Sequence, residues 1–470
     1  MFKLSLAILI VGLVQQALAA PTIDQQLVNS LREKDRANIL ISMRETTGSV
    51  LDSLNTRSFS TREDRLNSVA NALKAFSAQS QVNVRQFLDK AREEKPIQVE
   101  FLWITNQIIV RDADLALVEQ LIGMEEIQGI TEEIFYQIDE PIDLKVQDNL
   151  GQANEEEVQW GVKQIEAPVV WSQGNKGEQI IICTIDTGVR VTHEALKDNF
   201  VGDYGWFDPT YKTPLPNDQN GHGTHTTGNI VGTVRNIGVA PGAKWAACKG
   251  CATSSCSQFD LLGCGQFVAC PTDTDGNNPD CSRAPHLVSN SWGGGRGNTW
   301  YADVIKAWQS AGIIPLFSIG NSGPSCGSAN SPGDEEQVIG VGSTTIDNVL
   351  SSFSSVGPTL IGARIKPDIS APGSNVFSAY YTSDTAYATM SGTSMACPHA
   401  AGVVALLLSE KRNMTYTQVK EALSGGSVPT TSTNRNCNGI PEDVYPNHHV
   451  GFGRINAVKS INSMRQMFMD

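Results

Sequence analysis

Three short blocks of this chain hold residue types that together could carry nucleophilic acyl transfer. In the first, the apolar run IIICTID ends on Asp186 and is followed by Thr187 and Gly188, a turn signal. A carboxylate there is costly to bury without partners, so it is either a capping acid or a functional one. In the second, NGHGTHTTG, His222 stands between Gly221 and Gly223, and small residues continue to Gly228. Glycines leave an imidazole room to reach both a nucleophile and an orienting acid. In the third, GTSMACPHAAG, Ser394 opens a long apolar helical pattern. Free backbone N–H groups and the positive end of a helix dipole suit a hydroxyl that becomes part of an oxyanion intermediate.

Each residue alone has an ordinary explanation. Asp186 could cap a turn and Ser394 could be a helix N-cap. His222 and His225 could bind a metal, but no Glu lies between them as HExxH requires. Their combination points to a Ser nucleophile, a His general base and an Asp that orients the imidazole. An aspartic protease would need a second DTG or DSG, and this chain has one DTG. An esterase elbow would read GxSxG, whereas this serine sits in GTSMA.

The elements that must position these residues follow from the apolar pattern. EQIIICTIDTG, KWAACKG, HLVSNSWGGG, IIPLFSIGNSG and QVIGVGSTT are short apolar runs without period-two alternation, separated by helical segments. Such runs suit strands buried on both faces. The pattern predicts an α/β fold, a three-layer open and mostly parallel sheet with helices on both faces, whose site lies beyond the carboxyl ends of the strands. Ahead of it, residues 37–138 read as a small α+β unit. NILISM is a strand, 62–91 is helical, VEFLWIT and NQIIVRD form a hairpin, LVEQLIG is a helix, and GITEEIFYQI is a closing strand. That order suggests a ferredoxin-like split βαβ arrangement. From Asp139 to Val158 the chain is acidic and polar and reads as an exposed linker open to proteolysis. At the amino terminus, Lys3 precedes the apolar run Leu4–Leu18, which ends in Ala17, Leu18, Ala19 ahead of Pro21. This is the pattern of a secretory signal peptide, and the run is shorter than the roughly 20 apolar residues of a membrane anchor. The apolar stretch near Leu407 is also short and soon charged. The expected organisation is therefore a signal peptide at 1–19, a leader domain at 20–145 and a main domain at 146–470.

A formal net charge of −14 argues against nucleic acid or an anionic membrane as partner, since both call for basic patches. All ten cysteines lie at or after Cys183. The later region is thus expected to persist in an oxidising medium on disulfides, while the leader folds without them. Six cysteines crowd between Cys248 and Cys281, and spacing does not fix their pairing. CKGC could begin a zinc site, but no second CxxC or paired histidines follow, and export favours disulfides.

TIDTGV, GHGTHTTG and GTSMACPHAAG, in the order Asp, His, Ser, resemble the blocks of the subtilase family, whose established chain order this is. SNSWGG, SIGNSG, LSSFSSVG and KPDISAPG match further, and the Cys-rich stretch ending APHLVSNSWGG is similar to the bacillopeptidase F branch. WGVKQIEAPVVWSQG resembles the start of a mature subtilase, which puts maturation between about Leu144 and Gln159. The resemblance implies a secreted, monomeric serine endopeptidase of broad specificity. It would be made as a self-processing zymogen, act on proteins and peptides, and be inhibited by its own propeptide. Asp186, His222 and Ser394 would be the triad, and Asn321 would supply the oxyanion hole with the Ser394 N–H. Ser291, Trp292 and Gly293 would pair with substrate backbone, and Ser318 and Gly320 would line the primary pocket. No cofactor is needed for this chemistry. The loop IVGTVRNIGVAPG lacks the Asn-bearing insertion that binds calcium in many subtilisins, so the usual strong site is not expected and metal ligands stay unassigned; structural calcium elsewhere stays open. Cys183 and Cys397 flank the triad and are expected as buried thiols or disulfide partners, because Ser394 holds the nucleophile position. Asn413, in NMT, is the one sequon and a glycosylation candidate. The competing reading is a catalytically silent protein of the same fold that binds peptides without cleaving them.

Overall fold

Seven parallel strands form the central sheet of the computed structural model. The structure describes residues 21–147 and 157–469; the signal-peptide run and the middle of the linker, 148–156, lie outside the described residues. Across the sheet the order is Ile369–Pro372, Ile339–Thr344, Ile314–Ser318, Leu287–Asn290, Ile181–Asp186, Lys244–Lys249, Trp206–Phe207. From Ile181–Asp186 the chain goes to the edge strand Trp206–Phe207 and back to Lys244–Lys249, then crosses to Leu287–Asn290 and winds outward on the other side, so the direction reverses beside the strand that ends in Asp186. Such a switch point opens a crevice at the carboxyl ends of the strands.

Side chains alternate between the two faces of each strand. Ile182, Ala247, Leu287 and Leu316 enter one core with the helices His222–Val231 and Thr393–Glu410. Cys183, Cys248, Val288 and Phe317 enter the other with the helices Gln258–Ala269 and Ala302–Ala311. Thr393–Glu410 is buried along nearly its whole length, from Thr393 to Leu408. Truncating one of its leucines to Ala would cost about 2–5 kcal/mol. No helix among the described residues is long and apolar enough to cross a membrane.

The leader builds a five-stranded sheet in the order Thr22–Ile23, Ile127–Glu132, Arg36–Met43, Gln107–Asp114, Gln98–Leu102. Ile39, Ile41, Ile108 and Val110 face a core shared with the helices Gln25–Lys34, Val82–Glu94 and Leu115–Leu121. Leu40 and Ile109, on the opposite face, join the main domain's second core together with Leu51, Leu54, Leu66, Val69 and Leu73. The expected helical stretch is two helices, Arg62–Ser80 and Val82–Glu94, meeting at the buried Gln81.

The closing strand differs most from expectation. Only Ile127–Glu132 joins the leader's sheet; Phe135–Ile138 pairs instead with Ser255–Ser257 and Trp292–Gly293 of the main domain. The stretch read as an exposed linker is likewise ordered where it is described. Asp139 is buried, and Leu144–Gln147 pairs with Tyr387–Met390. Polar composition suggested a linker, but backbone pairing, which composition does not report, holds this segment.

Candidate active site

Asp186 closes its strand at the sheet's carboxyl edge and is 2% exposed. Its Oδ1 accepts from the Thr187 N–H at 2.7 Å, and its carboxylate faces His222 Nδ1 at 2.8 and 3.0 Å. A carboxylate can only accept, so Nδ1 carries the proton and Nε2 is left as the basic nitrogen. That Nε2 is buried without a hydrogen-bond partner. Burial works to lower the His222 pKa, but the Asp186 charge and hydrogen bond, with Asp139 and Asp218 behind them, raise it on balance.

The glycines around His222 set this approach. Gly221 has φ +102°, open to glycine at little cost, and a Cβ on Gly223 would stand 2.1 Å from the Gly188 carbonyl oxygen. Asp218 holds the turn. It accepts from the N–H groups of Asn220, Gly221 and Thr224 and from the hydroxyls of Thr187 and Thr224. The Thr187 hydroxyl in turn accepts from the Gly223 N–H at 2.9 Å. Sequence reasoning passed over Asp218 and Thr187; the signal was an Asp a few residues ahead of a helix start, the spacing of a capping acid.

Ser394 lies in the first turn of Thr393–Glu410 and is fully buried. Its hydroxyl donates to the Asp139 carbonyl at 2.9 Å, with the Ser291 carbonyl at 3.5 Å. The leader backbone thus fills the crevice in front of the serine. Asn321 Oδ1 accepts from both the N–H and the hydroxyl of Thr393, each at 2.9 Å. These two bonds fix the amide so that Nδ2 points into the crevice, where it donates to the Glu140 carbonyl at 3.1 Å. The Ser291 carbonyl accepts from the Asp139 N–H at 3.2 Å, while Trp292 and Gly293 pair antiparallel with Ile138 and Gln137. Ser318 donates to the Asp139 carboxylate. Gly320 adopts φ +102°, and a Cβ there would stand 2.6 Å from Asn330 Nδ2.

His225 is fully buried, with Nε2 at 3.1 Å from the carbonyls of Val376 and Ala388, and burial lowers its pKa to about 3. It is a neutral, internally bonded residue. The cysteines pair as Cys248–Cys264, Cys251–Cys256, Cys270–Cys281 and Cys326–Cys437. Cys183 and Cys397 are buried free thiols, and burial pushes Cys397 up to about 12, far from a thiolate. The segment 232–240 contains no carboxylate and closes on itself through a Gly238 N–H to Gly232 carbonyl bond at 3.2 Å. Asn413 is exposed on a turn beside a cavity of about 400 Å³ that Arg62 and Arg65 of the leader also line.

Comparison with known proteins agrees with this arrangement. The Subtilase family profile matches residues 177–453. Bacillopeptidase F of Bacillus subtilis is 30% identical over 94% of this chain, which spans 32% of that protein's length. Subtilisin DY of Bacillus licheniformis is 34% identical across 59% of this chain and 92% of its own, and thermitase of Thermoactinomyces vulgaris is 29% identical across 64% and 95%. With its doubly wound sheet and this run of matches, the chain belongs to the subtilase family of subtilisin-like serine endopeptidases.

Proposed function

We propose that this chain is the precursor of a secreted serine endopeptidase that processes itself, with its leader domain as the inhibitor. The observation that carries the reading is the peptide in the crevice. An extended segment, Phe135–Glu140, runs between two strands of the main domain with one carbonyl on the Ser394 hydroxyl and the next on the Asn321 amide. Strand addition of this kind recognises any peptide through its backbone.

In the reaction, Ser394 Oγ adds to the carbonyl carbon while its proton passes to His222 Nε2, and Asp186 holds the imidazolium through Nδ1. Charge that develops on the carbonyl oxygen is met by Asn321 Nδ2 and the Ser394 N–H. The His222 proton then goes to the departing amine nitrogen, leaving an ester on Ser394. Water attacks this ester, giving its proton to His222, which passes it to Ser394 Oγ as the carboxylic acid product leaves. The four disulfides and the signal-like amino terminus support an extracellular setting.

The test is a fluorophosphonate probe on the matured protein, together with Ser394→Ala. Wild type is expected to take the label, and the variant to remain an uncut precursor. An unlabelled wild type, with processing unchanged in the variant, would sink the proposal. Asn321→Ala should keep substrate affinity and lower kcat by about 10²–10³, the effect known for the corresponding donor in a subtilisin.

A further inference from the structure

We propose that the precursor cuts its own chain between Asp139 and Glu140, and that its primary pocket accepts a short acidic side chain. This rests on the endopeptidase reading above and narrows the breadth expected of it. Three contacts put Asp139 in the place of the residue before the scissile bond. Its N–H donates to the Ser291 carbonyl at 3.2 Å, its carbonyl receives the Ser394 hydroxyl at 2.9 Å, and its carboxylate receives the Ser318 hydroxyl inside the wall formed by Ser318–Gly320. Only 7% of Asp139 is exposed. The neighbouring cleft, about 750 Å³, is lined in the main domain by Arg296, Asn321 and Asn330 among serines and glycines. A pocket in which the Ser318 hydroxyl meets the carboxylate, with the Arg296 guanidinium in the adjoining cleft, fits a short acidic side chain better than a large apolar one.

Three residues earlier, Tyr136 is seated as well. Its ring stacks on Trp300 with centroids 4.6 Å apart, and Asn298 Nδ2 donates to its hydroxyl at 3.3 Å. On the departing side, the Ile142 N–H donates to the Ser391 carbonyl at 2.8 Å, and Leu144–Gln147 pairs with Tyr387–Met390. The preferred substrate class is therefore an aromatic residue, one exposed residue of little constraint, a buried aliphatic residue, then Asp before the cut.

The adjacent bond, Glu140–Pro141, is the competitor, because Asn321 donates to the Glu140 carbonyl. Glu140 is exposed and fills no pocket, and cutting there would expel a proline nitrogen. Cleavage after Asp139 needs the Asn321 amide to pass from one carbonyl to the next and the Ser394 hydroxyl to turn from the Asp139 carbonyl to His222 Nε2. Ser394 Oγ bonds to the Asp139 carbonyl carbon, and the C–N bond to Glu140 breaks. The serine proton leaves through His222 on the Glu140 nitrogen, and water then frees the Asp139 carboxyl.

The experiment is amino-terminal sequencing and intact mass of the protein matured from the full-length precursor, followed by a peptide library on the product. A mature chain beginning at Glu140, and at least a tenfold preference for Asp over Lys or Phe before the cut, is the expected result. In the precursor, Asp139→Asn should still be cut at the same bond and Asp139→Lys should not. A first amino terminus at Pro141 or within 144–159, or a library preference for large apolar residues, would overturn the proposal while leaving the endopeptidase intact. Absence of both processing and probe labelling would instead remove the reading on which it rests.

Discussion

The leader and main domains share one apolar core but hold themselves together differently. The leader has no cysteine and keeps an independent core on one face of its sheet, around Leu27, Ile39, Ile41 and Leu117. The main domain carries four disulfides, one of which, Cys326–Cys437, spans 111 residues. Their interface is also mixed. Leu51, Leu54 and Leu66 pack into the main domain, while the Arg62 guanidinium donates to the carbonyls of Ala284 and Pro285 and that of Arg65 to the carbonyls of Gln309 and Ser310. Burial, with Arg412 and Arg65 nearby, lowers Arg62 to about 10. Guanidiniums held by carbonyls lose little on returning to water, so the leader is attached firmly yet not irreversibly. Under the proposed function, one region binds and is shed and the other lasts outside the cell.

The largest test of that contrast is removal of the long disulfide. Cys326→Ser with Cys437→Ser should destabilise the main domain by about 4–5 kcal/mol on chain-entropy grounds. Denaturant melts of the matured main domain should show this loss; an unchanged midpoint would mean that the long disulfide is not what holds this region together. Next in size is the interface. Arg65→Ala strands the Ser310 carbonyl, while that of Gln309 keeps the Gly312 N–H, and should weaken inhibition in trans by residues 21–147 about 10- to 100-fold, on the order of 1–3 kcal/mol. An inhibition constant that does not move would assign the attachment to the apolar contacts and the cleft strand alone.

The smallest effect is on pH. Three carboxylates, those of Asp186, Asp139 and Asp218, raise the His222 pKa against the lowering effect of burial, and the neighbouring His225 is neutral. A general base must be unprotonated, so self-processing should be slow in acid and rise as pH passes the raised pKa. Asp139 belongs to the leader; burial raises its own pKa against the Ser318 bond and the His222 charge, and Asp139→Asn removes what its ionised form adds to His222. The rise in the rate of self-processing should therefore move to lower pH, while the matured enzyme, which no longer holds residue 139, keeps the wild-type profile. A shift in the matured enzyme as well would show that the leader's charge is not its cause.

Much of this molecule was legible before folding because the informative signals are local. Asp186 at the end of an apolar run, His222 among glycines and Ser394 at the head of an apolar helix are each defined by near neighbours, as is the segregation of cysteines. The alternation of apolar runs with helical stretches likewise fixes a parallel sheet, since strands buried on both faces need helices to cover them. Which cysteine meets which, and which sheet a strand joins, depend on partners far along the chain. FYQI reads as the last strand of the leader, yet its hydrogen bonds go to Ser255–Ser257 and Trp292–Gly293. A strand's pattern says that it will pair; only the packed structure supplies the edge. So the sequence by itself singled out Ser394, His222 and Asp186, and tertiary structure decided that Asp139 would lie against Ser394, because backbone groups pair by proximity and not by residue type.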